Sequence, residues 1–295
     1  MGLKAKILTL AFTFFFMTAN LPALQIHKER SIYRNIVITE NKGKRCMRFE
    51  TRRRSISNQA CLMIKEPEIL VFEYTQSLMA GLSFNSTPRN ILIIGLGGGS
   101  LPTALHKLLP DSEITSVEID PSVVKLAKKY FNYQENDKLK TEIKDGRVFV
   151  KRAIKKNKNF DWIILDAFNG DYIPEHLLTV EFLTEIKTLL SDGGLLSANT
   201  FNSSRLYDYE SVTYQKVFKA IRVLKSATKG NRIIFACKCE NIDQKSKIDQ
   251  NLRDELVALG VEIDPILARM SNKIDWDTSV RPLTDQYSPA NLLNQ

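Results

Sequence analysis

Short apolar runs alternate with stretches of helical periodicity over most of the chain from residue 89 onwards. Residues 91–94 are all Ile or Leu and are too few for a helix, so they predict a buried parallel strand. Helical spacing follows at 101–109, and a second strand is predicted at 114–119. Because this alternation continues to residue 239, we expect an α/β fold with a parallel sheet covered by helices on both faces.

The same two patterns, short apolar runs for strands and helical spacing for helices, predict the remaining elements. Strands are expected at 139–143, 160–165, 195–200 and 232–239, the last at a sheet edge, and helices after Asp120-Pro121 and at 148–154, 179–190, 207–224 and 248–259. Upstream, strands at 32–40, 44–49 and 59–64 and a helix at 66–82 are expected. The chain then divides into a leader (1–23), a small N-terminal β domain (24–65), a Rossmann-like nucleoside-binding domain (66–240) and a C-terminal helix with a tail (241–295).

The first 23 residues have the pattern of an export signal. Lys4 and Lys6 precede an uncharged run at 7–17 that is rich in Phe and Leu, and Leu21-Pro22-Ala23 offers a small-residue cleavage site. The run is short for a membrane-spanning helix. We expect a secretory signal peptide, with an uncleaved membrane anchor or a buried helix of a cytoplasmic protein as alternatives. Membrane contact is expected only through this leader.

The net charge of +9 is concentrated at residues 42–54, where seven Lys and Arg residues face only Glu50. No aromatic interleaving or nucleic-acid motif accompanies them, so a solvated hairpin face or the rim of an anionic-substrate site is favoured over nucleic-acid binding. A hairpin here would place Cys46 opposite Cys61, and the two would pair in an oxidising compartment and stay reduced in the cytosol. Cys237 and Cys239 lack a second pair, so no metal site is expected.

A glycine turn follows the first strand of the parallel sheet. Gly95, Gly97 and Gly99 would let the backbone approach a ligand, and Glu118, at the end of the next strand, could accept two ribose hydroxyls. The spacing fits both a nicotinamide-type and an S-adenosyl-type ligand, so this stretch predicts a nucleotide or nucleoside without choosing between them.

Two further carboxylates fall at strand ends. Asp145-Gly146 and Asp166 follow the strands predicted at 139–143 and 160–165. The carboxyl ends of parallel strands share one edge of the sheet, so we expect these residues beside the glycine turn and Glu118. A partly desolvated carboxylate at the position of Asp166 could accept a proton from an incoming amine.

Three segments carry a resemblance to a known family: VEIDPSVVKLAKKYF, KDGRVFV and FDWIILDAFNGDYIPEHLLTVEFL. Together with the order of elements over residues 32–239, they resemble the spermidine synthase family of aminopropyltransferases. The resemblance implies a methyltransferase-type Rossmann sheet and aminopropyl transfer from decarboxylated S-adenosylmethionine to an amine. It also implies that Glu118 holds the ribose, that Asp145 and Gly146 lie near the adenine, and that Asp166 accepts the proton. A second copy of the chain is a candidate partner.

The amine side departs from the family pattern. Gly98 stands where the family's glycine turn carries an aspartate, and Asn169 replaces the second aspartate of D-x-x-D-P. Phe72-Glu73 replaces the usual Tyr-His, and Arg34 an N-terminal Gln. The lost carboxylates would weaken the binding of a doubly charged diamine.

Other residues are candidates to compensate for those losses. Glu73, Asp171 and Asp285 carry the available carboxylates, and Asn169 lies in the same loop as Asp171. The tail L-T-D-x-Y-x-P resembles that of a spermidine-synthase-like subgroup, so Asp285 and Tyr287 are expected either to reach the site or to pack across the sheet.

Three alternatives stay open at this point. An ordinary methyltransferase would use S-adenosylmethionine itself in the same pocket. A binding module would keep the nucleoside pocket without turnover, which would suit an exported chain that meets little donor. A nicotinamide dehydrogenase fits Asp145-Gly146 and Asp166 least well.

Overall fold

A computed structural model describes residues 23–50, 56–168, 172–228, 230–242 and 248–289. The strands are β1 (Leu24–Arg30), β2 (Asn35–Asn41), β3 (Lys44–Glu50), β4 (Ile56–Met63), β5 (Asn90–Ile94), β6 (Glu113–Glu118), β7 (Leu139–Ile143), β8 (Phe160–Leu165), β9 (Leu190–Phe201), β10 (Ile221–Lys225), β11 (Asn231–Cys237) and β12 (Met270–Ser271). The helices are α1 (Glu73–Leu78), α2 (Ser100–Leu108), α3 (Pro121–Tyr130), α4 (Gly146–Lys155), α5 (Val180–Leu189), α6 (Tyr207–Phe218), α7 (Gln250–Ala258) and α8 (Ile263–Ala268). Short 3-10 helices lie at Met79–Ser83 and Glu175–Leu177.

The large sheet confirms the predicted α/β class. Its strand order is β12-β10-β11-β9-β8-β5-β6-β7, and the five strands from β9 to β7 run parallel. The chain proceeds outward from β5 through β6 to β7, then returns to β8 on the other side of β5. Ligands of open parallel sheets bind at such a switch point, beyond the carboxyl ends of the strands.

Helices cover both faces of this sheet, as the continuous apolar strands predicted. Along β5, Ile91 and Ile93 join the apolar core on one face, whereas Leu92 and Ile94 join the core on the other. The first core is completed by residues of α2, α7 and α8, and the second by residues of α4, α5 and α6. A strand that is buried on both faces has no reason to alternate apolar with polar residues.

The N-terminal domain is a four-stranded antiparallel sheet of order β1-β2-β3-β4. Its apolar face, including Ile38 and Met47, packs against Val123 and Leu126 of α3. Cys46 lies directly opposite Cys61 on β3 and β4, with a Cα–Cα distance of 4.1 Å, and a disulfide joins them.

Four predicted elements were wrong in part. The helix expected at 207–224 ends at Phe218, because Lys219 adopts a left-handed φ of 63° and the alternating residues of β10 follow. The helix expected at 66–82 begins only at Glu73, preceded by an extended Phe72. The strand expected at the sheet edge is β11, which is buried on both faces between β9 and β10. A second helix, α8, follows the helix predicted as the last. Strand β1 was not predicted from the sequence.

The proposed leader lies outside the described residues, except for Ala23. Among the helices that the structure describes, none has the length and apolar character needed to cross a bilayer.

Candidate functional site

A cavity of about 1410 Å³ opens at the carboxyl ends of β5, β6 and β8. The glycine turn, the loop after β8 and the start of α4 line it, and residues of β3 and β4 form part of a further wall. Seven residues of the large domain were predicted to hold a nucleoside or to accept a proton, and all but Gly99 line the cavity: Gly95, Gly97, Glu118, Asp145, Gly146 and Asp166. The structure thus gathers at one edge the strand-end residues that the sequence predicted there.

The glycine turn needs glycine for two separate reasons. Gly95, Gly97 and Gly99 have φ values of 111°, 56° and 77°, a region that other L-residues rarely adopt. A Cβ at Gly95 would also overlap the backbone oxygen of Asp166. Gly99 lies against the Tyr133 ring and is the residue before α2, so it shapes the turn from outside the cavity.

Gly98 is closed to a larger side chain. A Cβ there would lie 2.9 Å from the Ala60 Cβ and 3.0 Å from the Phe131 ring. Ala60 of β4 and Phe131 at the end of α3 therefore leave no space for a Cβ at position 98.

Glu118 ends β6 and is fixed by the glycine turn. Its Oε2 accepts a hydrogen bond from the Leu96 N–H at 3.2 Å, and its Oε1 accepts one from the Asp120 N–H at 3.0 Å. Burial raises the pKa of the Glu118 carboxyl, while these backbone donors oppose the rise. Asp120, with its side chain on the Ser122 N–H, caps α3 and fixes the end of the strand.

Asp145 and Gly146 have structural roles as well as a place in the cavity. Asp145 caps α4 by accepting a hydrogen bond from the Val148 N–H at 2.9 Å, and its second oxygen lies 3.2 Å from His176 Nε2. A Cβ at Gly146 would come within 2.6 Å of the Ile94 side chain. The pair therefore fixes the start of α4 against β5 at the edge of the cavity.

Asp166 lies directly after β8 with its carboxylate held at both oxygens. Asn199 Nδ2 donates to Oδ1 at 2.9 Å, and the Tyr74 hydroxyl donates to Oδ2 at 3.3 Å. Burial raises the pKa of the Asp166 carboxyl to about 7, and the nearby Glu118 charge adds to the rise, while both hydrogen bonds oppose it. A carboxylate with this pKa exchanges its proton near neutral pH, which suits a general base.

The sequence did not identify Tyr74 and Asn199 as partners of Asp166. Tyr74 lies in the first turn of α1, and its hydroxyl donates to the carboxylate of Asp166. Asn199 lies on β9, the neighbour of β8, and its own Oδ1 accepts a hydrogen bond from Asn231 Nδ2 at 3.0 Å. The sequence signal that could have identified Asn199 is a polar residue near the end of the apolar strand predicted at 195–200.

Of the residues predicted to compensate on the amine side, Glu73 is the one that the structure places in the cavity lining. Glu73 lines the cavity, but its carboxylate accepts hydrogen bonds from Ser226, from Thr228, from the Ala227 N–H and from Arg269. Burial alone would raise the pKa of Glu73, but these donors lower it to about 2. Asn169 and Asp171 lie outside the described residues.

The tail packs against the large domain instead of reaching the cavity. Asp285 forms an ion pair with Arg147 at 2.7 Å and accepts a hydrogen bond from the Thr179 hydroxyl at 2.7 Å. Tyr287 pairs through its backbone with Thr284 and lies beneath the Arg281 guanidinium. Neither Asp285 nor Tyr287 lines the cavity, so of the two expectations for this tail the packing role fits the structure.

Comparisons with known proteins assign the family. Residues 72–229 match the spermine/spermidine synthase domain. The chain is 44% identical over 272 residues to a polyamine aminopropyltransferase of Vibrio vulnificus, with 91% of each chain covered. Its fold is similar to that of a probable spermidine synthase from Corynebacterium glutamicum (TM-score 0.62, 20% identity, 86% of this chain and 98% of that chain). It is also similar to human methyltransferase-like protein 13 in complex with SAH (TM-score 0.54, 25% identity, 75% and 100%). The resemblance drawn from the sequence is confirmed: this chain belongs to the spermine/spermidine synthase family, on a methyltransferase-like fold.

Proposed function

We propose that the protein transfers an aminopropyl group from decarboxylated S-adenosylmethionine to a small amine acceptor. The relative from Vibrio vulnificus is named a polyamine aminopropyltransferase, and it matches this chain over nearly the full length of both proteins. This match supports the reaction class. The single observation that carries the proposal here is Asp166, a carboxylate with a pKa of about 7 that opens into the same cavity as Glu118 and the glycine turn.

In this proposal the nucleoside lies over the ends of β5, β6 and β7. Glu118 accepts the ribose hydroxyls, Asp145 and Gly146 border the base, and the glycine turn lies beneath the sugar and sulfonium. Apart from Gly99 of the turn, all of these residues line the same cavity. The wall over β8 and β9, beyond Asp166, is left for the acceptor.

The chemical step requires an uncharged amine. The acceptor nitrogen attacks the methylene carbon next to the sulfonium, a C–N bond forms, and the C–S electron pair returns to sulfur as methylthioadenosine leaves. The proton lost from nitrogen passes to Asp166, which Asn199 and Tyr74 hold in place. No metal ion takes part in this scheme.

The test is identification of the nucleoside product. Purified protein is incubated with decarboxylated S-adenosylmethionine and an amine mixture, and methylthioadenosine is measured by mass spectrometry. Asp166→Asn should abolish product formation while methylthioadenosine still binds. Unchanged turnover in Asp166→Asn would remove Asp166 from the mechanism, and absence of turnover in both proteins would favour a nucleoside-binding module.

Methyl transfer from S-adenosylmethionine is the second candidate. The fold likeness to a methyltransferase that was solved with SAH favours it, as does the closed space at Gly98, which leaves no carboxylate there. The same assay separates the two reactions, since methyl transfer releases S-adenosylhomocysteine.

We also propose that residues 1–23 form an export leader and that the protein is a homodimer. The charge and apolar pattern of the leader supports export. Mass determination of the mature protein from cell fractions tests cleavage, and light scattering tests the dimer.

A further inference from the structure

Three polar residues lie in a row at the carboxyl end of the parallel strands. Asp166 follows β8, Asn199 lies on β9 and Asn231 begins β11, and these strands are neighbours in the sheet. Leu165 lies opposite Ala198 in the register, so the next two residues, Asp166 and Asn199, are adjacent as well. Since β11 runs antiparallel to β9, it begins at the edge where β9 ends. The row therefore leads from the proposed base to Asn231, which has no role in the proposed reaction.

The register of β9 and β11 places Asn199 and Asn231 on the same face of the sheet. Asn199 pairs with Ile233, and side chains two residues apart on one strand point to the same face, so Asn231 is a diagonal neighbour of Asn199. Asn231 Nδ2 donates to Asn199 Oδ1 at 3.0 Å. The next residue, Arg232, points to the opposite face and pairs there with Glu210. Asn231 therefore contacts Asn199 without taking part in that buried ion pair.

The contact between the two asparagines is made by groups with little freedom to move apart. The Asn231 carbonyl accepts hydrogen bonds from the Ser226 N–H at 3.0 Å and from Asn202 Nδ2 at 3.1 Å, which fix the backbone from which its side chain starts. Asn199 is 3% exposed, and Asn231 is half-buried in the cavity lining. The hydrogen bond between their amides thus belongs to the wall of the cavity.

The direction of this hydrogen bond decides which atom of Asn199 faces Asp166. An asparagine amide has one oxygen that accepts and one nitrogen that donates. Because Asn231 donates to the oxygen, the nitrogen is left to face Asp166, to which it donates at 2.9 Å. The reversed amide would place its oxygen against the Asp166 carboxyl and would stabilise only the protonated acid. A protonated Asp166 cannot take the proton of the amine.

We propose that Asn231 is a positioning residue for the reaction, which holds the nitrogen of the Asn199 amide towards Asp166 and so keeps Asp166 ready to accept a proton. This inference rests on the proposed function and adds a residue to its proton-acceptor site. Asn231 acts through Asn199 and needs no contact with the substrate. Tyr74, from α1, holds the other oxygen of the Asp166 carboxylate independently.

The test is Asn231→Asp, which keeps nearly the same shape but replaces a donor by an acceptor. The new carboxylate attracts the Asn199 nitrogen, so the amide reverses and its oxygen faces Asp166. We expect the midpoint of the kcat/KM profile against pH to rise by more than about one pH unit and further than in Asn199→Leu, because an opposing acceptor replaces the lost donor. An unchanged or lower midpoint would overturn the proposal.

Two further variants separate reversal of the amide from the added charge. Asn231→Leu is the matched control of similar size, and it neither donates nor accepts. Asn199 then keeps its nitrogen towards Asp166, and the midpoint should move less than roughly half as far as in Asn231→Asp. In Asn199→Leu/Asn231→Asp the amide is absent and the charge acts alone, so the second substitution should add less than roughly half of the rise that it causes by itself. An equal rise with and without the amide, or an equal rise in Asn231→Leu, would contradict the positioning role.

Other influences on Asp166 stay constant across these variants. Burial is the main cause of the raised pKa of Asp166, the charge of Glu118 adds to it, and the hydrogen bond from Tyr74 opposes it. Among the described residues, Glu118 on β6 and Tyr74 on α1 are the ionisable groups that act on Asp166, and none of the variants alters either of them. A change in the midpoint therefore reports on the two asparagines.

A direct titration separates this inference from the proposed function. If no amine releases methylthioadenosine from the wild type, the proposed function fails. The Asp166 carboxyl carbon is then titrated by NMR, and its signal is assigned by its absence from Asp166→Asn. A higher pKa of Asp166 in Asn231→Asp than in the wild type, with a smaller rise in Asn231→Leu, would support the positioning role. Equal pKa values in the three proteins would overturn it.

Discussion

Replacing Asn199 by leucine should shift the pH dependence of turnover to higher pH. Asn199 makes the shorter of the two hydrogen bonds that the structure describes to the Asp166 carboxylate, 2.9 Å against 3.3 Å from Tyr74. Leucine has a similar size and cannot donate, so the variant removes the bond with little change in volume. The bond stabilises the ionised form, and its loss raises the pKa of Asp166 above about 7.

The size of the shift follows from the strength of the bond. A hydrogen bond to a charged group contributes about 1.5–3 kcal/mol. One pKa unit corresponds to about 1.4 kcal/mol, which gives roughly one to two units. Asp166 is partly open to the cavity, where water replaces some of the lost interaction, so we expect about one unit.

The assay is the pH profile of kcat/KM, measured from about pH 5.5 to about pH 9.5 at fixed ionic strength. In the wild type, activity should rise with pH as Asp166 loses its proton, with a midpoint near 7. Tyr74→Phe should shift the midpoint in the same direction by less, because its bond is longer. Tyr133→Phe, which loses a hydroxyl contact with Thr141 away from the cavity, should not shift it. A midpoint that is unchanged or lower in Asn199→Leu would refute the reasoning.

Three other changes give separate outcomes. Asp166→Asn should have a higher melting temperature than the wild type at about pH 8, and this difference should disappear towards about pH 4. The pKa of Asp166 in the folded state lies above its value in the unfolded state, so the stability of the wild type falls as pH rises between these two pKa values. Thermal unfolding across pH measures this, and a benefit confined to acid would contradict it. Glu118→Gln should weaken methylthioadenosine binding about tenfold or more by calorimetry, because the amide loses the charge that accepts ribose hydroxyls; equal affinity would exclude Glu118 as the ribose ligand. Asp285→Asn should lower stability by roughly 1 kcal/mol through the Arg147 pair, with KM for the acceptor unchanged; a raised KM with unchanged stability would instead place Asp285 in the site.

The parts of the fold predicted correctly are those specified by local patterns. The apolar run at 91–94 and its glycine turn became β5 and the base of the cavity. The helix expected after Asp120-Pro121 begins there, since an aspartate cap followed by proline specifies a helix start locally. The position of Cys46 opposite Cys61 follows from hairpin register, which is also local.

The parts that were missed depend on contacts between distant residues. Arg269, which neutralises Glu73, lies 196 residues away along the chain, and the Asp285 partner Arg147 lies 138 residues away. Nothing near Glu73 indicates that its charge is already engaged. Similarly, β11 lies inside the sheet only because β10 and the two-residue β12 pair beyond it. Local patterns identify which groups are available, whereas the fold determines which of them remain free.

The central claim is tested most directly by the mass of the nucleoside that the protein releases. The protein is incubated with an amine mixture and either S-adenosylmethionine or its decarboxylated form. Aminopropyl transfer predicts methylthioadenosine, formed only with the decarboxylated donor, in an amount equal to the aminopropylated amine and absent with Asp166→Asn. S-adenosylhomocysteine as the product would contradict the claim and assign methyl transfer to the same cavity.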